Sequence, residues 1–364
     1  MIAVSRTTLL AVAALVAAGG ACTRPSEGRA ELELEVGAAQ ITDASVRVAD
    51  GLAAVRELAD HRLELWANAP VLDVELSVGA TAGGEWDIVI RNALPDAVLE
   101  VAGATFTRAP DQHPTFARFT VPLGEGLHAL RLAPPDALVD EPYRVAAMAD
   151  IQDAMEEVDE VFAAISAVPD VRFVVSMGDI TQRAEVEEYD LFEQQLQALR
   201  VPFFTTLGNH ELWGPPERYF DRFGRASFQF SFKGTAFTFA DSGDAAIDPL
   251  VEEWIEGWLA DARGQTHVFL THFPAIDPVG IRYGALRSTR DGHRLLSRLT
   301  EGDVDLTLYG HLHTLIEFEN AGIPAFISGG GGAEPMKLDG IGRHFLVVEL
   351  RPTGLGSVTV HRVD

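Results

Sequence analysis

The sequence contains a single cysteine, Cys22, among 364 residues. One cysteine cannot form a disulfide bond within its own chain, so the folded state must be stabilised by packing rather than by cross-links. The chain is longer than one ordinary domain, and 47% of its residues are hydrophobic. Length and composition together predict two well-packed globular domains.

Positive charge is also scarce in this chain. Lys and Arg together number 28 against 54 Asp and Glu, which gives a formal net charge of -26. Proteins that bind nucleic acid or anionic membrane surfaces need basic patches. The composition therefore disfavours both as direct partners.

The early apolar run is too short to span a bilayer, since it covers only residues 9–18. It follows Arg6 and precedes small residues up to Ala21, which is typical of an export signal over residues 1–21. Cys22 comes next, and this arrangement resembles the bacterial lipoprotein signal, in which the cysteine is lipidated after cleavage.

Gly19 departs from the lipoprotein pattern, which usually carries Leu three residues before the cysteine. The alternative is a plain secretory peptide with an incidental cysteine. Both interpretations place the protein outside the cytoplasm, either lipid-anchored in the cell envelope (periplasm or outer membrane) or secreted. In the first, the lipid is the only membrane contact, and residues 22–30 form a tether.

Residues 31–135 consist of short segments of alternating polarity separated by Gly, Pro, Asn and Asp. The segments with the pattern of half-buried strands are 31–36, 63–66, 71–78, 86–91, 97–101, 117–121 and 128–132. No long stretch with helical spacing interrupts them, so we predict a small all-β, sandwich-like domain. It carries no catalytic motif, and its protein partner is unknown.

A Pro-containing linker over residues 136–142 precedes a second domain over residues 143–364, in which the pattern changes. Strand-like and helical segments now alternate, which predicts an α/β fold. The predicted helices cover residues 153–168, 186–199, 215–223, 248–262 and 292–299.

Polar motifs follow five of the strand-like segments of this domain. They are Asp150, Gly178-Asp179, Gly208-Asn209-His210-Glu211, His272 and Gly310-His311-Leu312-His313. The first three are about thirty residues apart, the length of one strand-helix-strand unit. We therefore expect neighbouring parallel strands to deliver these motifs to one edge of a sheet, where ligands bind in open α/β sheets.

The order of these motifs resembles that of the calcineurin-like metallophosphoesterase superfamily. The resemblance implies a sandwich of two mixed β-sheets flanked by helices. It also implies hydrolysis of a small phosphate ester, mono- or diester, by a water activated at a dinuclear metal centre. The two divalent cations would be Mn, Fe, Zn or Mg, in a combination that the motifs do not identify.

The resemblance also implies roles for individual residues. Asp179 would bridge the two cations, and His210 would contact the phosphate and assist the departing oxygen. The remaining implied metal ligands are Asp150 and His313 for the first cation, and Asn209, His272 and His311 for the second.

The first motif departs from the family pattern, because Gln152 stands where Asp-x-His usually places the histidine. A carboxamide offers metal only a neutral oxygen, a weaker and harder ligand than imidazole. Either Gln152 ligates weakly, or the first cation has fewer protein ligands and more water. Both possibilities favour harder ions such as Mn or Mg at the first position.

Several further residues near the motifs have open roles. Glu211 either orients the His210 imidazole or is exposed without a partner. Arginines in the nearby loops could hold a substrate phosphate, although surface arginines are common; these are Arg218, Arg282, Arg287 and Arg290. A different class of function is a catalytically impaired, lipid-anchored binding protein that uses the β-sandwich to recognise a partner.

Overall fold

The computed structural model describes residues 25–110, 113–281, 283–336 and 341–363. The predicted export signal, Cys22 and Arg282 lie outside these residues. Within the described ranges, no helix combines the length and the apolar character needed to cross a membrane.

Among the residues that the structure describes, the N-terminal domain contains ten strands. They are β1 (Ala38–Ile41), β2 (Ala44–Val48), β3 (Ala53–Ala59), β4 (Arg62–Ala67), β5 (Leu72–Val78), β6 (Gly84–Arg91), β7 (Val98–Val101), β8 (Ala104–Phe106), β9 (Ala117–Leu123) and β10 (Gly126–Ala133). One sheet has the order β1-β2-β5-β10-β7-β8 and the other β3-β4-β6-β9. All strand pairs are antiparallel except β4 with β6.

Alternating burial explains why the two sheets stack. In β5 the side chains of Leu72, Val74, Leu76 and Val78 are buried, while most of the intervening residues are exposed. They belong to the same apolar core as Trp86 of the facing sheet. The predicted all-β, sandwich-like domain is confirmed.

The beginning of the chain differs from the prediction. Residues 31–36 are not a strand, because helix α1 (Pro25–Glu33) covers their first half and a turn follows it. Residues 25–30 of the predicted tether also belong to this helix. Its alternating Glu and Leu residues have the period of a strand, but contacts distant in sequence favour a helix here.

Two buried polar side chains attach α1 to the second domain. Arg29 Nε lies 2.8 Å from Asp241 Oδ2, and Arg29 Nη2 lies 3.0 Å from Asp244 Oδ1. The fully buried Glu33 accepts hydrogen bonds from the backbone N–H and the hydroxyl of Ser227. Helix α1 is therefore packed against the second domain.

The second domain contains eleven strands and five further helices among the described residues. The strands are β11 (Tyr143–Met148), β12 (Val171–Ser176), β13 (Phe203–Thr205), β14 (Phe228–Phe232), β15 (Thr235–Ala240), β16 (Thr266–Thr271), β17 (Leu306–Tyr309), β18 (Leu315–Asn320), β19 (Ile323–Ser328), β20 (His344–Arg351) and β21 (Gly354–Arg362). The helices are α2 (Val158–Ser166), α3 (Val186–Gln195), α4 (Glu217–Phe223), α5 (Pro249–Asp261) and α6 (Thr289–Glu301).

These strands form two mixed sheets, as the resemblance implies. One has the order β13-β12-β11-β20-β21 and the other β14-β15-β16-β17-β19-β18. Strands β11, β12 and β13 are parallel neighbours, and so are β15, β16, β17 and β19. Within each set of parallel strands, the carboxyl ends therefore lie together at one end of the sheet.

Apolar residues bury both faces of these sheets. Phe173 and Leu270 belong to the core between the sheets. On the outer faces, Phe162 of α2 packs in a core with the first sheet and Ile255 of α5 in a core with the second. A sheet covered on both faces gives strands with nearly continuous apolar sequence, which is why the sequence reveals them clearly.

Asn92 joins the two domains at the edge of the first sheet. Its Oδ1 accepts a hydrogen bond from the Phe203 N–H at 2.7 Å, and its Nδ2 donates to the Phe203 carbonyl at 2.9 Å. One side chain thus satisfies the N–H and the carbonyl of Phe203 in the edge strand β13, which would otherwise be open to pairing with another chain.

Candidate metal centre

The structure brings all the predicted site residues of the second domain together. Each lies on a loop or a short 3-10 helix in the segment that follows a parallel strand. Asp150 and Gln152 follow β11, Asp179 follows β12, Asn209 and His210 follow β13, His272 follows β16, and His311 and His313 follow β17. The two sheets meet here, since His272 Nδ1 lies 2.8 Å from the Met177 carbonyl oxygen of the other sheet.

Several of these loops have unusual backbone conformations. The φ angles of Asp150, Gln152, Asp179 and His311 are 63°, 49°, 53° and 69°, in the left-handed region. Residues other than glycine adopt this region at a cost, and such residues cluster at functional sites.

Four donor atoms converge at what we call position 2, formed by Asp179, Asn209, His272 and His311. Asn209 Oδ1 lies 3.0 Å from both His272 Nε2 and His311 Nδ1. His272 Nε2 lies 3.3 Å from Asp179 Oδ2. Ligand atoms about 2.1 Å from one cation are separated by roughly 3 to 3.4 Å, so these spacings suit a bound metal ion.

Backbone carbonyls orient the histidines of the site. His272 Nδ1, His311 Nε2 and His313 Nδ1 each lie 2.8 Å from a carbonyl oxygen, of Met177, Tyr283 and Glu334 respectively. A carbonyl only accepts hydrogen bonds, so these ring nitrogens carry the hydrogen. The other nitrogen of each ring faces the site. Metal-binding histidines usually donate such a hydrogen bond from the ring nitrogen that does not bind the metal.

Position 1 is formed by Asp150, Gln152, Asp179 and His313. Asp150 Oδ2 accepts a hydrogen bond from the His311 N–H at 2.9 Å. Its Oδ1 is buried, has no hydrogen-bond partner among the described atoms, and lies 3.6 Å from His313 Nε2. An unpartnered buried carboxylate oxygen is costly unless a cation binds it, so this residue also fits a metal ion.

The charges of the centre favour a cation. Burial raises the pKa of Asp150 to about 7. Burial also opposes ionisation of Asp179 and protonation of His272, but their attraction lowers the pKa of Asp179 to about 2 and raises that of His272 to about 9. In the absence of metal, a proton on His272 thus balances negative charge that a divalent ion would balance better.

His210 lies beside the centre, and its ring makes no described hydrogen bond to Asn209, His272 or His311. Its Nδ1 lies 2.8 Å from the Gln182 carbonyl oxygen, and its Nε2 lies 4.0 Å from Asp179 Oδ2. The indole of Trp213 stacks on the imidazole at a centroid distance of 5.5 Å and restricts its rotation. His210 is therefore placed to contact a bound substrate rather than to hold a metal ion.

Glu211 is neither exposed nor in contact with the His210 ring, so both roles considered from the sequence are wrong. It is fully buried. Its carboxylate accepts hydrogen bonds from the backbone N–H groups of Asp179, Thr181 and Gly208 and from the Thr181 hydroxyl. Glu211 thus ties together the loops that carry Asp179 and Asn209, a role for which the sequence gives no signal.

Replacement of Glu211 with Ala is expected to destabilise the fold strongly, because three buried N–H groups lose their acceptor. We expect a loss of about 3 kcal/mol in the free energy of unfolding, measured by urea denaturation. Glu253→Ala, at an exposed position of α5, is the matched control. Equal stability of the two variants would contradict the role assigned to Glu211.

Two glycines allow the loops to approach one another closely. A Cβ atom on Gly208 would lie 2.1 Å from Asp179 Oδ1, and one on Gly329 would lie 2.3 Å from the Leu312 carbonyl oxygen. Gly329 therefore packs closely against the loop that carries His311 and His313. Only glycine fits at either position without movement of the site.

The candidate phosphate-binding arginines that the structure describes point elsewhere. Arg218 donates to the Ala184 carbonyl at 2.8 Å, and Arg287 donates to the Asp244 carbonyl. Arg290 is exposed on α6. Among the residues described here, none of these arginines contacts a predicted metal ligand.

Residues 143–315 match the calcineurin-like phosphoesterase family. No curated protein matches the chain. Among solved structures, GAP50, the anchor in the inner membrane complex of Plasmodium, is similar with 18% sequence identity and a TM-score of 0.48, over 62% of this chain and 85% of that chain. A dimetal phosphatase from Danio rerio is similar with 14% identity and a TM-score of 0.48, over 62% of this chain and all of that chain (100%).

The structure of PhoD is similar over more of the chain. It has 10% identity and a TM-score of 0.45, and the similarity covers 81% of this chain and 88% of that chain. The family match covers the five motifs from Asp150 to His313, in the order that the sequence predicted. Residues 143–315 are therefore similar to a calcineurin-like phosphoesterase domain.

Proposed function

We propose that this protein is a metal-dependent phosphoesterase that uses two divalent cations, at positions 1 and 2, to hydrolyse a small phosphate mono- or diester. The observation that carries the proposal is the convergence of Asp179, Asn209, His272 and His311 at separations of 3.0 to 3.3 Å. The two histidines turn their hydrogen-bearing nitrogens away, towards backbone carbonyls.

Bound divalent cations would activate a water molecule and neutralise charge on the phosphoryl oxygens. The residues of the chain would place the two cations and assist the leaving group. Asp179, which lies between positions 1 and 2, fixes the relative placement of the two sites. Asn209 adds a neutral oxygen ligand, so position 2 does not accumulate further negative charge beside an anionic substrate.

His210 has the geometry to assist the leaving group. The Gln182 carbonyl holds the hydrogen on Nδ1, so Nε2 is the atom that faces the centre. An imidazole that carries a hydrogen on Nε2 as well can donate it to the departing ester oxygen, as a general acid does.

Metal removal tests the function directly. We expect chelator-treated protein to lose hydrolysis of an aryl phosphate or a bis-aryl phosphate, and added Mn²⁺ or Zn²⁺ to restore it. The ratio of rates on the two esters identifies a mono- or a diesterase. Protein that regains its metal but hydrolyses neither ester would instead support the catalytically impaired binding protein.

We further propose that Cys22 carries a lipid anchor that holds the domain at the cell envelope. Cys22 precedes Pro25, the first residue of α1, by three positions, and three residues can span at most about 10 Å. Because α1 is packed against the second domain through Arg29 and Glu33, the anchor would hold that domain close to the membrane.

Cys22→Ser is expected to move the protein from the membrane fraction to the soluble fraction. Hydrolysis by the purified variant should equal that of the wild type, since the substitution lies outside the catalytic domain. The measurement is fractionation of cells followed by immunoblotting. An unchanged membrane fraction would exclude the anchor.

A further inference from the structure

Gln152 presents its nitrogen, not its oxygen, to position 1. Gln152 Nε2 lies 2.8 Å from Asp179 Oδ2 and 3.0 Å from His313 Nε2. The NH₂ group of a carboxamide only donates hydrogen bonds. In this conformation Gln152 therefore bonds to two atoms that a cation at position 1 would use.

Both acceptors are able to receive these hydrogens. Asp179 is a carboxylate, and His313 Nε2 has a lone pair because its Nδ1 hydrogen points to the Glu334 carbonyl oxygen at 2.8 Å. The two hydrogens of the Gln152 amide match these two acceptors. The Gln152 NH₂ group thus lies between Asp179 and His313, where a cation at position 1 would bind.

Rotation of the carboxamide by half a turn would reverse this arrangement. The Gln152 oxygen would then face Asp179 Oδ2 and His313 Nε2, and three acceptors would repel one another unless a cation lay between them. A metal ion entering position 1 must therefore break two hydrogen bonds and rotate the amide, whereas Gln152 makes no described hydrogen bond to Asn209, His272 or His311.

We infer that Gln152 closes position 1 in the metal-free protein, so that the two positions fill unequally. Position 2 binds a divalent cation tightly, and position 1 fills only at higher metal concentration. Asp150, whose Oδ1 has no described partner, remains available to draw the second cation in. The inference rests on the metal-dependent function proposed above.

Metal titration of the chelator-treated full chain tests this inference. After desalting in the presence of Mn²⁺, elemental analysis should find about one ion per wild-type chain. Calorimetry should show a second, weaker site with a dissociation constant at least about tenfold higher. Two retained ions of equal affinity in the wild type would overturn the inference.

Gln152→Ala shows whether Gln152 competes with the metal ion for its ligands or binds the ion itself. The variant removes the two donor hydrogens but supplies no ligand, so the weaker site should bind Mn²⁺ several-fold more tightly than in the wild type. If Gln152 is a metal ligand through its oxygen, the same site should weaken, and the inference would be wrong. Should Gln152→Ala fail to fold, Gln152→Leu also removes the donor hydrogens without supplying a ligand, and it is expected to tighten the site.

Gln152→His restores the usual motif and should give two retained ions per chain. An imidazole should also strengthen Zn²⁺ binding at this position relative to Mn²⁺, because nitrogen ligands favour the softer ion. Unchanged half-saturating concentrations for both metals would mean that residue 152 does not reach position 1.

Gln229→Ala is the matched control, since its amide donates to Thr238 Oγ1 and the Trp258 carbonyl. Its metal binding should equal that of the wild type. Metal counts require no turnover, so the test is independent of activity. One tight and one weak ion without hydrolysis would refute the proposed function yet support unequal filling, whereas no retained ion in the wild type would refute both.

Discussion

Asp179→Asn is expected to abolish hydrolysis and to remove most of the bound metal. Asp179 Oδ2 lies 2.8 Å from the Gln152 amide at position 1 and 3.3 Å from His272 Nε2 at position 2, so one carboxylate serves both sites. An amide in its place cannot supply the missing negative charge. The substitution thus weakens both positions at once.

Elemental analysis after desalting and aryl phosphate hydrolysis measure the two effects. Asp153→Asn, which makes the same charge change at an exposed position near Asp150, is the control and should retain metal and activity. Two tightly held ions in Asp179→Asn would show that Asp179 does not bridge the positions.

His210→Ala should separate catalysis from metal binding. We expect a loss in turnover of roughly a hundredfold or more, the usual scale for removal of a proton donor or a charge-stabilising group. The metal content should equal that of the wild type, because neither ring nitrogen of His210 makes a described hydrogen bond to a residue of position 2. His210 Nδ1 is bonded to the Gln182 carbonyl, and Nε2 is 4.0 Å from Asp179 Oδ2.

The measurement is turnover at saturating metal, together with elemental analysis of the same sample. His128→Ala, in the β-sandwich, is the control and should leave both values unchanged. A loss of metal in proportion to the loss of activity would make His210 a ligand instead.

The sequence predicted the architecture of the second domain because its two sheets are buried on both faces. The five strands that precede the motifs are almost entirely buried, and a polar motif follows each of them where it leaves the core. Parallel strands bring such points to one edge, so the proximity of Asp150, Asp179 and Asn209 could be expected before the structure was known.

The helical start of the chain could not be predicted in the same way. Residues 31–36 alternate with the period of a strand, yet Glu33 lies in α1. The helix depends on its contacts with Ser227 and Asp241, about two hundred residues away. Local periodicity contains no information about such partners.

The same distinction applies at the metal centre. The residue types and their order alone indicated which side chains form it, since loops after parallel strands converge and imidazole, carboxylate and amide groups bind divalent ions. Only the tertiary structure determined what Glu211 and Gln152 do there. Glu211 is buried against three backbone N–H groups, and Gln152 directs its amide nitrogen at Asp179 and His313. These roles depend on which atom of a side chain meets which neighbour, and that is decided by packing between segments far apart in the chain.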